Sequence, residues 1–202
     1  MRLDEFDKQF YDEGYSFIAG VDEAGRGPLA GPVYAAAVIF PKDFYLPEIN
    51  DSKKLTEKKR EELYEVIKQN ALAYAIKSVD CKKIDEINIL NATFLAMKEA
   101  VLALEIAPDL VLVDGNRTKD IPMEARCIVK GDAQSQSIAA ASILAKVERD
   151  RFCRDVLDKN YPEYNFSKHK GYGTKLHTEM ILKYGPCDEH RKTFLTKILN
   201  SK

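Results

Sequence analysis

One apolar run in this chain ends in charge, and that ending limits what the chain can fold into. Phe17, Ile18, Ala19, Gly20 and Val21 have the composition of a buried strand. The run stops at two adjacent carboxylates, Asp22 and Glu23, followed by a glycine-rich turn through Gly25, Arg26 and Gly27 to Pro32. An unpaired carboxylate is costly to bury, so acids at a strand end must reach water or a cation. One reading is a divalent-metal site: the glycines let the backbone approach a ligand, and Arg26 offers a planar fork suited to phosphate. The other is a tight turn whose acids and arginine form a surface salt-bridge cluster.

The pattern recurs. Leu110, Val111, Leu112 and Val113 read as a strand ending at Asp114, and the apolar stretch 125–129 leads through Lys130 and Gly131 to Asp132. Each acid alone is compatible with a surface turn. Together, acids at several strand ends can converge on one sheet edge, where hard oxygen ligands suit Mg²⁺ or Mn²⁺. Two such ions roughly 3.5 to 4 Å apart could activate water on one side of a phosphodiester and stabilise the leaving oxygen on the other, with no protein nucleophile.

The remaining pattern alternates strands and helices. Strands are expected at about 17–23, 33–40 and 72–79, the three forming an antiparallel meander. A helix following Thr56 presents Leu63, Tyr64 and Ile67 on one face, and a second, capped by Asn91, runs to about 106. A long alanine-rich helix spans about 135–157, its small residues allowing close packing on a sheet. Residues 1–16 read as a short helix or lead-in, and 175–184 and 189–199 as helical. This order predicts an α/β layered domain with a mixed sheet, over 1–160, and a small helical C-terminal appendage over 161–202 packed on the same domain.

Composition excludes several classes. The chain has 202 residues, 45% of them hydrophobic, enough for a sizeable core. Lys and Arg total 31 against 32 Asp and Glu, but the charge is uneven: residues 115–202 carry 17 basic and 11 acidic side chains. That basic strip beside an acidic centre supports a polyanionic substrate, although solvated helices produce the same asymmetry. Cys81, Cys127, Cys153 and Cys187 are widely spread, without a metal or redox pair. No apolar run of about 18 residues could span a bilayer, and no secretion signal is evident, so a soluble cytoplasmic protein is expected. There is no phosphate-loop motif for nucleotide-driven work.

Several blocks, taken in order, resemble the ribonuclease HII family of type 2 ribonucleases H. They are Asp22-Glu23-Ala24-Gly25-Arg26-Gly27, Asp51-Ser52-Lys53-Lys54-Leu55, Val113-Asp114-Gly115, the stretch from Lys130-Gly131-Asp132 to Arg149-Asp150, and His169-Lys170-Gly171-Tyr172-Gly173-Thr174. The sister ribonuclease HIII type carries an added amino-terminal domain and departs from Gly-Arg-Gly, which favours HII here. The resemblance implies a ribonuclease H-like fold with catalytic, metal-holding carboxylates at Asp22, Glu23, Asp114 and Asp132. It implies Mn²⁺ or Mg²⁺ as cofactor, and products bearing 3′-hydroxyl and 5′-phosphate ends. Gly25, Arg26, Gly27 and Tyr172 would read the 2′-hydroxyl that separates RNA from DNA. The implied substrates are RNA-DNA hybrids and duplex DNA containing ribonucleotides, for ribonucleotide removal and primer clearance by a monomer.

Lys53, Lys54, Lys146, His169 and Lys170 are further candidate phosphate contacts, each also compatible with an ordinary surface charge, and Lys146 with pairing a carboxylate. His177 and His190 read as structural. Two competing functions are a non-catalytic hybrid-binding scaffold, which loss of a strand-end acid would favour, and a nuclease of the same fold acting on DNA recombination intermediates. No strand-end acid is lost, and the intact Gly-Arg-Gly turn speaks against the second.

Overall fold

The computed structural model describes residues 2–49 and 55–200. Five strands form one mixed sheet: β1 (Ile18–Ala24), β2 (Val33–Ile39), β3 (Ala73–Val79), β4 (Leu110–Asp114) and β5 (Ala125–Ile128). Their spatial order is β3-β2-β1-β4-β5. The first three strands are the expected antiparallel meander, while β4 joins β1, and β5 joins β4, in parallel. The helices that matter for the site are α1 (Leu3–Asp12), α2 (Glu57–Asn70), α3 (Cys81–Leu102) and α4 (Gln136–Phe152).

Period-two alternation assigns the two faces of the sheet. Ala19, Val21, Val111 and Val113 pack with Ala92, Ala96, Met97 and Ala100 of α3. On the other face Ala36 and Val38 meet Leu63 and Ile67 of α2 and the alanines of α4, while Ile18, Leu110 and Leu112 meet Ile138 and the aromatic residues of α1. Gly20 makes the α4 contact possible, since a Cβ there would lie 2.1 Å from the Ser137 backbone. Helix α4 starts as expected, with Ser135 as its cap, and runs on through a π-helical turn, Cys153–Leu157.

Two local expectations change. The span Cys81–Leu102 is broken at Asn88, which adopts φ 64°. Asn88, not Asn91, caps the second segment, its side chain accepting from the amides of Leu90 and Asn91. Residues 189–199 form not one helix but the short turns Lys192–Phe194 and Thr196–Leu199. Ahead of them His190 bridges to Ala30. After residue 160 the chain shares a core with what precedes it: Tyr164, Phe166, Ile181 and Leu195 pack with Ala30, Cys153 and Leu157. The four cysteines are free thiols. Among the described residues no helix is long and apolar enough to cross a membrane.

Candidate active site

Sheet register brings the first acids together. Val21 pairs with Val113, the last pair of the parallel β1–β4 ladder, so the residues that follow, Asp22 within β1 and Asp114 at the end of β4, lie side by side. Strands in a sheet lie about 4.8 Å apart, close enough for like charges to repel. Alternation turns Glu23 to the opposite face from Asp22. Asp22, Glu23, Gly25, Arg26, Gly27 and Asp114 nonetheless line a single cleft of about 230 Å³ at the sheet edge, closed by Ser142, Lys146 and Tyr172.

The electrostatics are unfavourable to the acids as they stand. Asp22 is buried, and desolvation followed by the charges of Glu23 and Asp114 pushes its carboxyl well above the ordinary range. The Glu23 amide donates to Asp22 Oδ1 at 2.7 Å, which together with Ser142 favours the ionised form in part. Burial raises Glu23 as well, opposed by Arg26, whose guanidinium lies 3.4 Å from its carboxylate. Asp114 accepts from the Gly131 amide at 2.6 Å. That bond ties β4 to the Gly131–Ala133 turn, where Asp132 is buried beside the cleft residues rather than among those lining it.

Hard oxygen donors that repel one another fit a divalent cation. Among the described residues no three His, Cys, Asp or Glu side chains already enclose a single point.

Tyr172 stands half exposed over the turn, 3.7 Å from where a Gly27 Cβ would lie. Its loop is fixed from below by a directed histidine chain. His190 accepts the Cys187 amide at Nδ1 (2.9 Å) and so carries its proton on Nε2, which donates to His177 Nε2 at 3.0 Å. His177 is left to donate from Nδ1 to the Tyr172 carbonyl at 3.0 Å. Burial lowers both rings to about 4, keeping them neutral.

The other expected contacts divide. Lys146 lines the cleft while pairing with Asp150 at 2.7 Å. His169 is not a phosphate contact here: it is buried, its Nε2 on the Tyr164 carbonyl at 2.8 Å and its Nδ1 accepting from the Gly171 amide at 3.2 Å, so it shapes the Tyr172 loop. Lys170 turns its ammonium back to the Ser167 carbonyl at 2.7 Å. Lys53 and Lys54 lie outside the described residues. Two buried arginines, Arg149 and Arg191, reach the turn at residues 25–32 and escaped the sequence reading. A charge inside the alanine-rich helix was a signal for Arg149; nothing local marked Arg191.

Comparison with known proteins bears on the family and the fold. The family model for ribonuclease HII matches residues 19–198. Ribonuclease HII of Caldanaerobacter subterraneus is 60% identical over 194 residues, spanning 96% of this chain and 80% of that protein. The Caldicellulosiruptor saccharolyticus protein of the same name is 57% identical over 195 residues, spanning 96% and 95%. The crystal structure of ribonuclease H2 from Pyrococcus horikoshii superposes with a TM-score of 0.75 at 28% identity, over 90% of this chain and 96% of that one.

Proposed function

Because the chain belongs to the ribonuclease HII family and is a ribonuclease H endonuclease acting on RNA-DNA hybrids, we propose that it works by divalent-metal-assisted hydrolysis. We propose too that it nicks duplex DNA on the 5′ side of an embedded ribonucleotide. The observation that carries this reading is the shared cleft, in which Asp22, Glu23 and Asp114 face the Gly25-Arg26-Gly27 turn and Tyr172.

Asp22, Glu23, Asp114 and Asp132 would hold Mg²⁺ or Mn²⁺. An ion bound there supplies Lewis acidity to the scissile phosphate and the means to ionise water at neutral pH. The chain's own part is orientation. Arg26 and the flanking glycines approach the sugar-phosphate backbone, and the Tyr172 ring packs against the ribose, whose 2′-hydroxyl is the group that distinguishes RNA. Lys146, which lines the cleft, would release Asp150 and meet a phosphate. Hydrolysis by water leaves 3′-hydroxyl and 5′-phosphate ends. The cellular work that fits is ribonucleotide excision and primer removal in DNA replication and repair, by a cytoplasmic monomer.

The test is cleavage of a labelled duplex containing one ribonucleotide, with its all-DNA twin and a long hybrid, under Mg²⁺, Mn²⁺ or chelator. A metal-dependent nick 5′ to the ribonucleotide, absent from the twin and from Asp114→Asn, is expected. Hybrid cleavage without that nick would remove the junction-reading role from Gly25–Gly27 and Tyr172.

A further inference from the structure

Two guanidiniums from distant parts of the chain close on the turn between β1 and β2. Arg191 donates to the carbonyls of Gly25 at 2.6 Å, Arg26 at 2.9 Å, Pro28 at 2.8 Å and Gly31 at 2.9 Å. Its own amide donates to the Leu29 carbonyl at 2.8 Å. Arg149, on α4, donates to the carbonyls of Ala30 and Pro32, both at 3.3 Å. It also donates at 2.9 Å to the carbonyl of Lys170, at the base of the Tyr172 loop. Both arginines are fully buried, and carbonyl dipoles rather than carboxylates are their hydrogen-bond partners. Desolvation, reinforced by Arg149, lowers Arg191 to about 9.

The consequence follows from the planar peptide unit, in which C=O and N–H point opposite ways. With the Gly25 and Arg26 carbonyls drawn inward to Arg191, the amides of Arg26 and Gly27 are turned outward. Among the described residues neither amide donates within the chain. Successive free amides in a turn form a concavity suited to an anion or a hydroxyl. Only a five-donor fork can gather four carbonyls at once, which an ammonium of the same charge cannot do.

We propose that Arg191 and Arg149 are positioning residues that aim the Arg26 and Gly27 amides at the sugar-phosphate backbone and so set the preference for a ribonucleotide, an inference that rests on the function proposed above. The experiment measures dissociation constants in chelator for a duplex carrying one ribonucleotide and for its all-DNA twin, using wild type, Arg191→Lys and Arg149→Lys, with thermal melting of each protein. Wild type should bind the ribonucleotide duplex at least tenfold more tightly than the twin. Arg191→Lys should cut that ratio at least fivefold while still melting cooperatively and changing affinity for the twin less than twofold; Arg149→Lys should act in the same direction. Equal weakening towards both duplexes, or an unchanged ratio, would overturn the proposal. If neither variant folds, wild-type nitrogen-15 spectra decide. The Arg26 and Gly27 amides should shift with the ribonucleotide duplex and not with the twin, and equal shifts would sink the idea. A wild type that cleaves no substrate under any metal would instead remove the function on which the inference rests.

Discussion

Asp22 is destabilised where it stands, because burial and the charges of Glu23 and Asp114 all oppose its ionised form. Asp22→Asn removes that repulsion and, under the proposed function, one of the metal's donors. Cleavage should fall by about a hundredfold or more. The melting temperature in chelator should rise by about 4 °C, on the order of 1–2 kcal/mol. Millimolar Mg²⁺ should raise the melting temperature of wild type and leave that of the variant in place, since a ligand stabilises only the state it binds. Differential scanning calorimetry reads both effects, and a variant that melts lower or still responds to Mg²⁺ would contradict the assignment. The acids were legible in the sequence because charge at the end of an apolar run has few explanations. His169 was not, since its nitrogens are claimed by Tyr164 and Gly171, and no local pattern announces that burial.

Between elements, the β1–α4 contact rests on Gly20. Gly20→Ala would press a methyl group into backbone atoms 2.1 to 2.5 Å away, in Ser137 and Ile138. The cost should be at least about 3 kcal/mol, seen as a lower urea midpoint. The histidine chain under Tyr172 gives a pH signature. His177 and His190 are neutral in the fold down to about 4, whereas unfolded rings take up protons below about 6.5. Their contribution is therefore present in full above about 6.5 and is lost as pH falls towards about 4. Asp7, held at about 6 by burial against the start of α4, runs the other way and masks this in the whole-protein curve. The difference between wild type and His190→Asn should isolate it: the wild-type advantage in chemical denaturation should grow from pH 4 to pH 6.5 and then level off. A pH-independent difference would mean that the rings do not titrate as a buried neutral pair. Strand alternation and the alanine-rich helix were readable because their period is local. The Asn88 break was not, since a capping asparagine at position 88 or 91 looks the same in sequence.

For the molecule as a whole, the mixed sheet followed from the order of strands and helices. The manner in which residues after 160 attach did not, because it depends on partners far away in sequence. Tyr164, Phe166, Ile181 and Leu195 share a core with Ala30, Cys153 and Leu157, and Arg191 bonds to a carbonyl 166 positions earlier. The appendage and the catalytic layer should therefore unfold together. Calorimetry should give one transition with equal calorimetric and van't Hoff enthalpies, and a chain cut after residue 160 should lose hybrid cleavage. Two resolved transitions would show the appendage to be an independent unit. The reach of Arg191 also has a meaning during synthesis. Chains emerge from the ribosome amino terminus first, so the carboxylates of β1 and β4 can meet while the turn beside them still lacks its clamp. Arg191 is made after every strand of the sheet, and a chain stopped before it would carry these carboxylates without the clamp on the turn beside them. The making of Arg191 would then act as the molecule's own licence to engage nucleic acid.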